Sequence, residues 1–156
     1  MANSRRPVSL TLWMVEGLAA WGRRPVPATG VLIAVVDDDE SVRRATRRLL
    51  RAAGFEAETY ASGTEFLEAI KDSKPSCVIV DLHMPGMSGL EVQSRLAVSG
   101  FKIPVLFITA YDDPGARDRA LQAGAVSYLR KPFTEEALLQ AIDSALSGAS
   151  GERCSA

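Results

Sequence analysis

Five polar residues stand directly after short apolar runs, and their types are those used in phosphate and metal chemistry. They are Asp37 and Asp38 after residues 31–36, Asp81 after residues 77–80, Thr109 after residues 105–108, and Lys131 after residues 125–130. Carboxylates held close together raise one another's pKa or bind a cation. A hard divalent ion with oxygen ligands that also meets phosphate describes Mg²⁺. If the fold brings these residues together, the pattern predicts a magnesium and phosphate site.

Each of these residues also has an ordinary structural explanation when it is taken alone. An aspartate after a strand is often a helix cap or a turn former. Thr109 could be a strand-end hydroxyl, and Lys131 could be a solvated surface charge. The functional interpretation therefore depends on their joint placement.

Length and composition describe one ordinary soluble domain of 156 residues, 47% hydrophobic and 24% charged. This profile excludes collagen, a disulfide scaffold and a largely disordered chain. Residues 31–147 hold 17 acidic and 13 basic residues, whereas residues 1–30 hold four Arg and one Glu. An acidic domain is a poor nucleic-acid binder, so we expect no direct nucleic-acid contact. Cys77 and Cys154 lack the spacing of a disulfide or zinc framework, which favours reduced thiols and a cytoplasmic setting.

From residue 31 onward, short apolar runs alternate with helical periodicity, which predicts five strands and five helices. The run Val31 to Val36 is typical of a strand buried on both faces of a parallel sheet. Right-handed crossovers then favour an α/β fold with a doubly wound, five-stranded parallel sheet in the order 2-1-3-4-5. In such sheets the ligand crevice lies beyond the carboxyl ends of the strands, where the order reverses. All five polar residues are predicted at this edge.

Four motifs in this order resemble the receiver domain of two-component response regulators. They are Val35-Val36-Asp37-Asp38, the run from Val80 to Gly89 that contains Asp81 and His83, Thr109-Ala110, and Lys131-Pro132-Phe133. The resemblance covers residues 31–147 and implies the flavodoxin-like, CheY-like (βα)5 fold. Residues 1–30 would be an N-terminal extension, amphipathic or disordered, and residues 148–156 a flexible tail. Because the ten residues from Ser147 to Ala156 cannot hold an output domain, we expect a stand-alone receiver.

The resemblance implies a role for each matching residue. Asp81 would accept a phosphoryl group from a sensor histidine kinase or a phosphotransfer protein. Mg²⁺ would be bound by Asp38, Asp81 and the backbone carbonyl of His83, and by Asp37 through water. Phosphate binding and switching would use Thr109, Ala110, Lys131 and Tyr128, and Pro132 would follow a cis peptide bond. Weak self-phosphorylation and self-dephosphorylation would be the only catalytic activity.

Phosphorylation adds negative charge and three strong acceptors, enough to bias a bistable face. By the resemblance this face comprises the fourth helix, fifth strand and fifth helix, and it would bind a downstream protein or a second copy. His83 and Tyr111 occupy the two positions that tune the lifetime of the acyl phosphate in the family. The His83 imidazole could also be a relay or a metal ligand, but an exposed loop histidine is the simpler interpretation because no second His or Cys partner is evident.

Two other functions stay open at this point. Asp37-Asp38-Asp39 after a first strand resembles the haloacid-dehalogenase phosphatases, with Asp37 as nucleophile and Thr109 and Lys131 in later motifs. That family needs an acidic motif after the Lys, whereas Asp112-Asp113 precedes it here. The second alternative is a degenerate receiver that acts only as a binding module.

Two charged or amphipathic segments have several interpretations. Five arginines of the first helix form a basic face. The favoured interpretation is ion pairing within the helix, of Asp39 with Arg43 and of Glu40 with Arg44. Docking of a kinase is the next interpretation, ahead of DNA contact. In residues 9–21, an apolar stripe at helical spacing comprises Leu10, Trp13, Met14, Gly17, Leu18 and Trp21. This stripe could contact a membrane surface, dock on a partner or belong to a misassigned start.

Overall fold

The computed structural model describes residues 30–110 and 114–155, in which strands and helices alternate along the chain. The strands are β1 (Leu32–Val36), β2 (Glu56–Tyr60), β3 (Cys77–Asp81), β4 (Val105–Thr109) and β5 (Ser127–Arg130). The helices are α1 (Glu40–Ala52), α2 (Gly63–Ser73), α3 (Gly89–Val98), α4 (Pro114–Gln122) and α5 (Glu135–Ser155).

All strand pairs are parallel, and the sheet order is β2-β1-β3-β4-β5, which confirms the predicted topology. Val36 of β1 pairs with Val80 of β3, and Thr109 of β4 pairs with Arg130 of β5. This register aligns the carboxyl ends of the central strands. Asp37, Asp81, Thr109 and Lys131 therefore emerge at one edge of the sheet.

The sheet separates two apolar layers, which explains why its central strands are apolar up to the polar residues Asp81 and Thr109 at their ends. Ile33 and Ile79 face the layer that α1 and α5 cover. Val36 and Phe107 face the opposite layer, to which α2, α3 and α4 contribute. All residues of β3 and β4 are buried. The sheet is therefore the rigid platform for the polar residues at its edge.

Side-chain caps fix where the helices begin. Asp39 accepts hydrogen bonds from the backbone N–H groups of Ser41 and Val42, so α1 starts directly after the acidic run. Ser88 and Glu91 form a reciprocal capping box at the start of α3. These caps satisfy backbone donors that have no partner within the helix.

Glu65, three residues after Ser62, predicts a capping box at the start of α2, and the structure forms it with one partner displaced by one residue. Ser62 accepts from the backbone of Glu65, but the Glu65 carboxylate accepts from Ala61 instead of Ser62.

The structure corrects two local predictions for α1. Helical spacing predicts that Val42, Ala45, Leu49 and Ala53 face inward. The buried residues are instead Thr46 and Leu50, and Ala45 is exposed. The Arg44–Glu40 pair forms at 2.7 Å. The predicted Asp39–Arg43 pair does not form, because Asp39 caps the helix and the Arg43 guanidinium donates to the Asp37 carbonyl.

The ends of the chain bear on the predicted domain limits. α5 continues to Ser155, past residue 148, where the flexible tail was expected to begin. The predictions for residues 1–29 and for Tyr111 lie outside the described residues. None of the helices in the described ranges has the length and apolar character needed to cross a bilayer.

Candidate functional site

Three carboxylates converge where β1 and β3 end. Asp37 and Asp38 follow β1, and Asp81 is the last residue of β3. One carboxylate oxygen from each of the three residues lies within 4.8 Å of the others. Asp37 and Asp81 are buried, whereas Asp38 is exposed. The parallel register thus produces an acidic pocket with one side open to solvent.

Lys131 bridges two of these carboxylates. Its Nζ donates to Asp37 Oδ2 at 2.9 Å and to Asp81 Oδ2 at 3.4 Å. Its backbone N–H donates to the Thr109 carbonyl at 2.7 Å, which fixes the segment after β5 against the end of β4. The Lys131–Pro132 peptide bond is cis, the geometry that the resemblance implies.

Backbone groups orient the second oxygen of each buried carboxylate. The N–H of Asp39 donates to Asp37 Oδ1 at 2.9 Å, and the N–H of His83 donates to Asp81 Oδ1 at 3.2 Å. The Arg43 guanidinium donates to the Asp37 carbonyl at 2.8 Å. Sequence reasoning missed this contact of Arg43 because it assigned the side chain to a pair within the helix.

The charges in the pocket are only partly compensated. Burial, and then the negative charge of Asp37, raise the pKa of Asp81 to about 6, although Lys131 and the His83 N–H oppose this rise. Burial lowers the pKa of Lys131, but its hydrogen bond to Asp37 and the charges of both carboxylates outweigh burial and raise it. The lysine is therefore a fixed cation, and the pocket keeps an excess of negative charge.

The predicted switch residues lie beside the pocket on β4 and β5. Thr109 ends β4 and is fully buried, whereas the next residue, Ala110, is exposed. Tyr128 on β5 pairs with Phe107 and packs half-buried against the layer of α2, α3 and α4. The Thr109 carbonyl accepts the hydrogen bond from the Lys131 N–H, and Tyr128 precedes Lys131 by three residues.

In the loop after Asp81, exposed and buried side chains alternate. His83 is exposed, whereas Leu82 and Met84 on either side of it are buried. Among the residues that the structure describes, no histidine or cysteine joins the cluster of Asp37, Asp38 and Asp81. This position fits the simpler interpretation of His83, in which the backbone of the residue is used.

Gly89 is a positioning residue of the site that sequence reasoning did not single out. A Cβ at this position would lie 2.6 Å from the carbonyl oxygen of Asp81 and 2.9 Å from Phe107 Cε1. Real Cβ atoms do not approach so closely, so the start of α3 can rest on the end of β3 only if this residue is glycine. The only signal in the sequence was the Ser-Gly pair at the start of the helix.

The donor set fits a hard divalent cation. Three carboxylates contribute oxygen atoms that are mutually close, and Asp38 leaves the pocket open on one side. Burial, and then the charge of Asp37, raise the pKa of Asp81 despite the nearby cation of Lys131, a direction that favours a further positive charge in the pocket. Oxygen ligands, open positions and uncompensated negative charge are the features that suit Mg²⁺.

An apolar groove of about 540 Å³ adjoins the acidic pocket. It runs between α1 and the segment after β5, and Lys131 forms part of its wall. The side chains along it include Val42, Thr46, Leu49 and Phe133. An apolar surface next to a polar reaction site suits the docking of a protein that brings a reactive group to the pocket.

Residues 33–143 match the family described as the response regulator receiver domain. The response regulator protein TodT of Pseudomonas putida is 39% identical over 135 residues, which are 86% of this chain and 60% of TodT. Among solved structures, the response regulator StyR is 45% identical, with a TM-score of 0.73 over 80% of this chain and 63% of that one. A response regulator receiver protein from Burkholderia phymatum is 51% identical, with a TM-score of 0.67 over 74% of this chain and 94% of that one. The chain thus spans about 60% of the length of the curated relative TodT.

Proposed function

Because the chain belongs to the response regulator receiver family, we propose that Asp81 accepts a phosphoryl group from the phosphohistidine of a sensor kinase or a phosphotransfer protein. The observation that carries this proposal is the position of the Asp81 carboxylate. It lies 3.4 Å from the cation of Lys131 and close to the carboxylates of Asp37 and Asp38, at the end of a fully buried strand. No other carboxylate among the described residues combines these neighbours with an open side.

The reaction is an in-line displacement at phosphorus. An oxygen of the Asp81 carboxylate forms the new P–O bond as the P–N bond of the donor's phosphohistidine breaks, and the histidine leaves. Asp81 must be ionised to attack, and with a pKa of about 6 it is largely ionised at pH 7. Lys131 holds a positive charge 3.4 Å from the attacking carboxylate, where the phosphoryl oxygens arrive. Positioning and electrostatic stabilisation therefore supply most of the rate.

Mg²⁺ is the cation that we propose for the acidic pocket. Asp38, Asp81 and the backbone carbonyl of His83 would bind it directly, and Asp37 would bind it through water. When bound, it neutralises phosphoryl oxygens and so lowers the repulsion that an anionic nucleophile meets. Asp37, with its oxygens occupied by the Asp39 N–H and Lys131, keeps the lysine in place.

The switch is proposed to run through Thr109 and Tyr128. The hydroxyl of Thr109 would donate to the new phosphoryl group, with the backbone of Ala110 beside it. Tyr128 would then turn further inward, which alters the surface formed by α4, β5 and α5. A downstream protein or a second copy of the chain would read this change, because phosphorylation biases a two-state element.

The apolar groove beside Lys131 is proposed as the docking surface for the phosphodonor protein. Its wall includes the inner side of α1 and Phe133, and it opens directly beside the acidic pocket. A helix of the partner that packed along this groove would bring its phosphohistidine to Asp81. The arginines on the outer side of α1 would contribute charge at the rim of this interface.

The phosphatase alternative has no support in the geometry. Asp37 is fully buried, and its two oxygens already accept hydrogen bonds from the Asp39 N–H and from Lys131. The degenerate-receiver alternative is also not favoured, because the set of Asp37, Asp38, Asp81, Thr109 and Lys131 is complete. A cytoplasmic location, the absence of direct nucleic-acid contact and action without an output domain stay predictions.

Labelling with a small phosphodonor tests the proposal. Acetyl phosphate with Mg²⁺ is expected to label the wild-type protein. It should label Asp38→Asn only weakly, because this substitution removes one proposed cation ligand. The matched control is Asp72→Asn, which changes an exposed aspartate of α2 and should label like the wild type. Labelling that persists unchanged in excess EDTA, or in Asp38→Asn, would refute the proposed cation site.

A further inference from the structure

Asp38 differs from the other two carboxylates of the acidic pocket because it is exposed. Asp37 and Asp81 are buried, and hydrogen bonds from Lys131 and from backbone N–H groups orient their oxygens. An exposed side chain has more conformational freedom to lose when it binds a cation. Its affinity as a ligand therefore depends on how firmly the backbone around it is held in advance.

Arg43 donates hydrogen bonds to the backbone on both sides of Asp38. Its backbone N–H donates to the Asp39 carbonyl at 3.0 Å, a bond of the first turn of α1 that any residue except proline would make. Its guanidinium donates to the Asp37 carbonyl at 2.8 Å, and this second bond requires the arginine side chain. The two acceptors precede and follow Asp38 in the chain.

The bond from the guanidinium fixes the peptide unit that joins Asp37 to Asp38. The N–H of Asp37 donates to the Tyr60 carbonyl of β2, and its two carboxylate oxygens accept from other donors of the site. Its carbonyl lies past the last residue of β1, and Arg43 supplies a donor to it there. Because a peptide unit is planar, holding this carbonyl also sets the direction in which the backbone of Asp38 begins.

Arg43 lies toward β2, the edge strand of the sheet. It lines a groove between the start of α1 and β2 together with Thr59. Asp81 ends β3, which pairs with the opposite side of β1. We therefore expect Arg43 to act on the site through the backbone around Asp38 and not by contact with a phosphoryl group on Asp81.

We propose that Arg43 is a positioning residue of the cation site, which holds the Asp37–Asp38 peptide so that the Asp38 carboxylate is preorganised to bind Mg²⁺. This inference rests on the cation site of the proposed function. The guanidinium affects Mg²⁺ affinity in two opposite directions, because its charge repels the cation whereas its hydrogen bond favours the arrangement that binds it. The hydrogen bond is short and partly buried, whereas repulsion between separated charges at the surface is screened by water and salt. Positioning is therefore the larger effect.

The Mg²⁺ affinity of Arg43→Met tests this proposal by its sign. In a titration of the whole chain followed by amide NMR shifts, we expect affinity about 10-fold weaker than that of the wild type, the scale for groups that orient a metal ligand. Simple loss of a repelling charge would instead strengthen binding. Arg43→Lys, which keeps a long cationic donor, should recover most of the affinity. The matched control is Arg48→Met, which removes the same charge from an exposed position of α1 and should change the affinity less than about twofold.

Labelling by acetyl phosphate separates positioning from direct participation in the reaction. In Arg43→Met the Mg²⁺ concentration for half-maximal labelling should rise about 10-fold, whereas the rate at saturating Mg²⁺ should stay within about a factor of two of the wild type. Arg43→Gln, whose shorter side chain ends before the position of the guanidinium nitrogen, should give the same result with wild-type far-UV circular dichroism.

Two results would overturn the inference, and they differ in what they say about the proposed function. Wild-type or tighter Mg²⁺ affinity in both Arg43→Met and Arg43→Gln would remove the positioning role and leave the cation site intact. A wild-type protein whose amide shifts do not respond to Mg²⁺ would refute the cation site itself, and the role of Arg43 with it.

Discussion

Lys131 Nζ lies 2.9 Å from Asp37 Oδ2 and 3.4 Å from Asp81 Oδ2, so one ammonium group donates to both carboxylates. Asp37 follows β1, and Asp81 ends the neighbouring strand β3. The closer contact is to Asp37, which leaves Asp81 the less completely neutralised of the two. Consistent with this arrangement, burial and the charge of Asp37 raise the pKa of Asp81 to about 6. The pocket thus holds one carboxylate that a lysine fixes closely and a second, Asp81, that we propose as the phosphoacceptor.

Removing the Lys131 charge should slow phosphorylation much more than it alters folding. We expect Lys131→Met to reduce the rate of labelling by acetyl phosphate about 100-fold, the scale at which one preorganised donor contributes to catalysis. The rate is measured as initial labelling at saturating Mg²⁺. Lys102→Met, a change at an exposed lysine, serves as control. A rate within a factor of two of the wild type would show that Lys131 does not contact the phosphoryl group.

Asp81→Asn should stabilise the protein in the absence of divalent cations. The folded state raises the pKa of Asp81 from 3.8 to about 6, so it binds the proton more tightly than the unfolded chain does. This contribution to stability is fully present below about pH 4 and is lost as the pH rises through 6. The variant should therefore gain about 2 kcal/mol over the wild type at pH 7.5 and almost nothing at pH 4.

Urea unfolding at both pH values, in EDTA, measures this gain. The exposed variant Asp72→Asn should not reproduce it. An Asp81→Asn protein that is less stable than the wild type at pH 7.5 would contradict the proposed charge balance.

Gly89→Ala should damage both the fold and the site, because its Cβ would lie 2.6 Å from the Asp81 carbonyl. We expect a loss of about 1–3 kcal/mol in the free energy of unfolding, the range for overpacking, together with slower labelling of Asp81. Gly148→Ala is the matched control, since nothing lies within 4 Å of a Cβ there, and it should stabilise α5 by up to about 1 kcal/mol. Equal effects of the two substitutions would show that Gly89 has no special role in positioning α3 against β3.

Thr109→Ala should separate phosphorylation from switching. The side chain is buried at the end of β4 and is proposed to act only after the phosphoryl group has been transferred. Labelling of Asp81 should therefore proceed at a rate close to that of the wild type. The phosphorylation-induced NMR shift changes in α4, β5 and α5 should be largely lost, and Thr109→Ser should restore them. Undiminished shift changes in Thr109→Ala would exclude the proposed coupling.

The sequence predicts the sheet and the position of its polar residues well because both depend on local patterns. Continuous apolar runs such as Val31 to Val36 require burial on both faces, and right-handed crossovers then leave few strand orders. The structure confirms the order β2-β1-β3-β4-β5, and this order brings Asp37, Asp81 and Lys131 together at one edge of the sheet.

Contacts that depend on tertiary packing could not be predicted from the sequence. Spacing of four residues suggested that Arg43 pairs with Asp39, but Asp39 is used as the cap of α1, and Arg43 turns to the Asp37 carbonyl. The requirement for glycine at position 89 arises from the approach of α3 to β3 and has no local cause. The exact face of α1 also depends on packing, which buries Thr46 instead of Ala45.

The most direct test of the central claim is to identify the residue modified by a small phosphodonor. Wild-type protein incubated with acetyl phosphate and Mg²⁺ is digested, and the phosphorylated peptide is located by mass spectrometry. The account predicts one acid-stable, base-labile phosphoryl group on Asp81, and no incorporation in Asp81→Asn. A phosphoryl group on Asp37, or labelling that persists in Asp81→Asn, would contradict it.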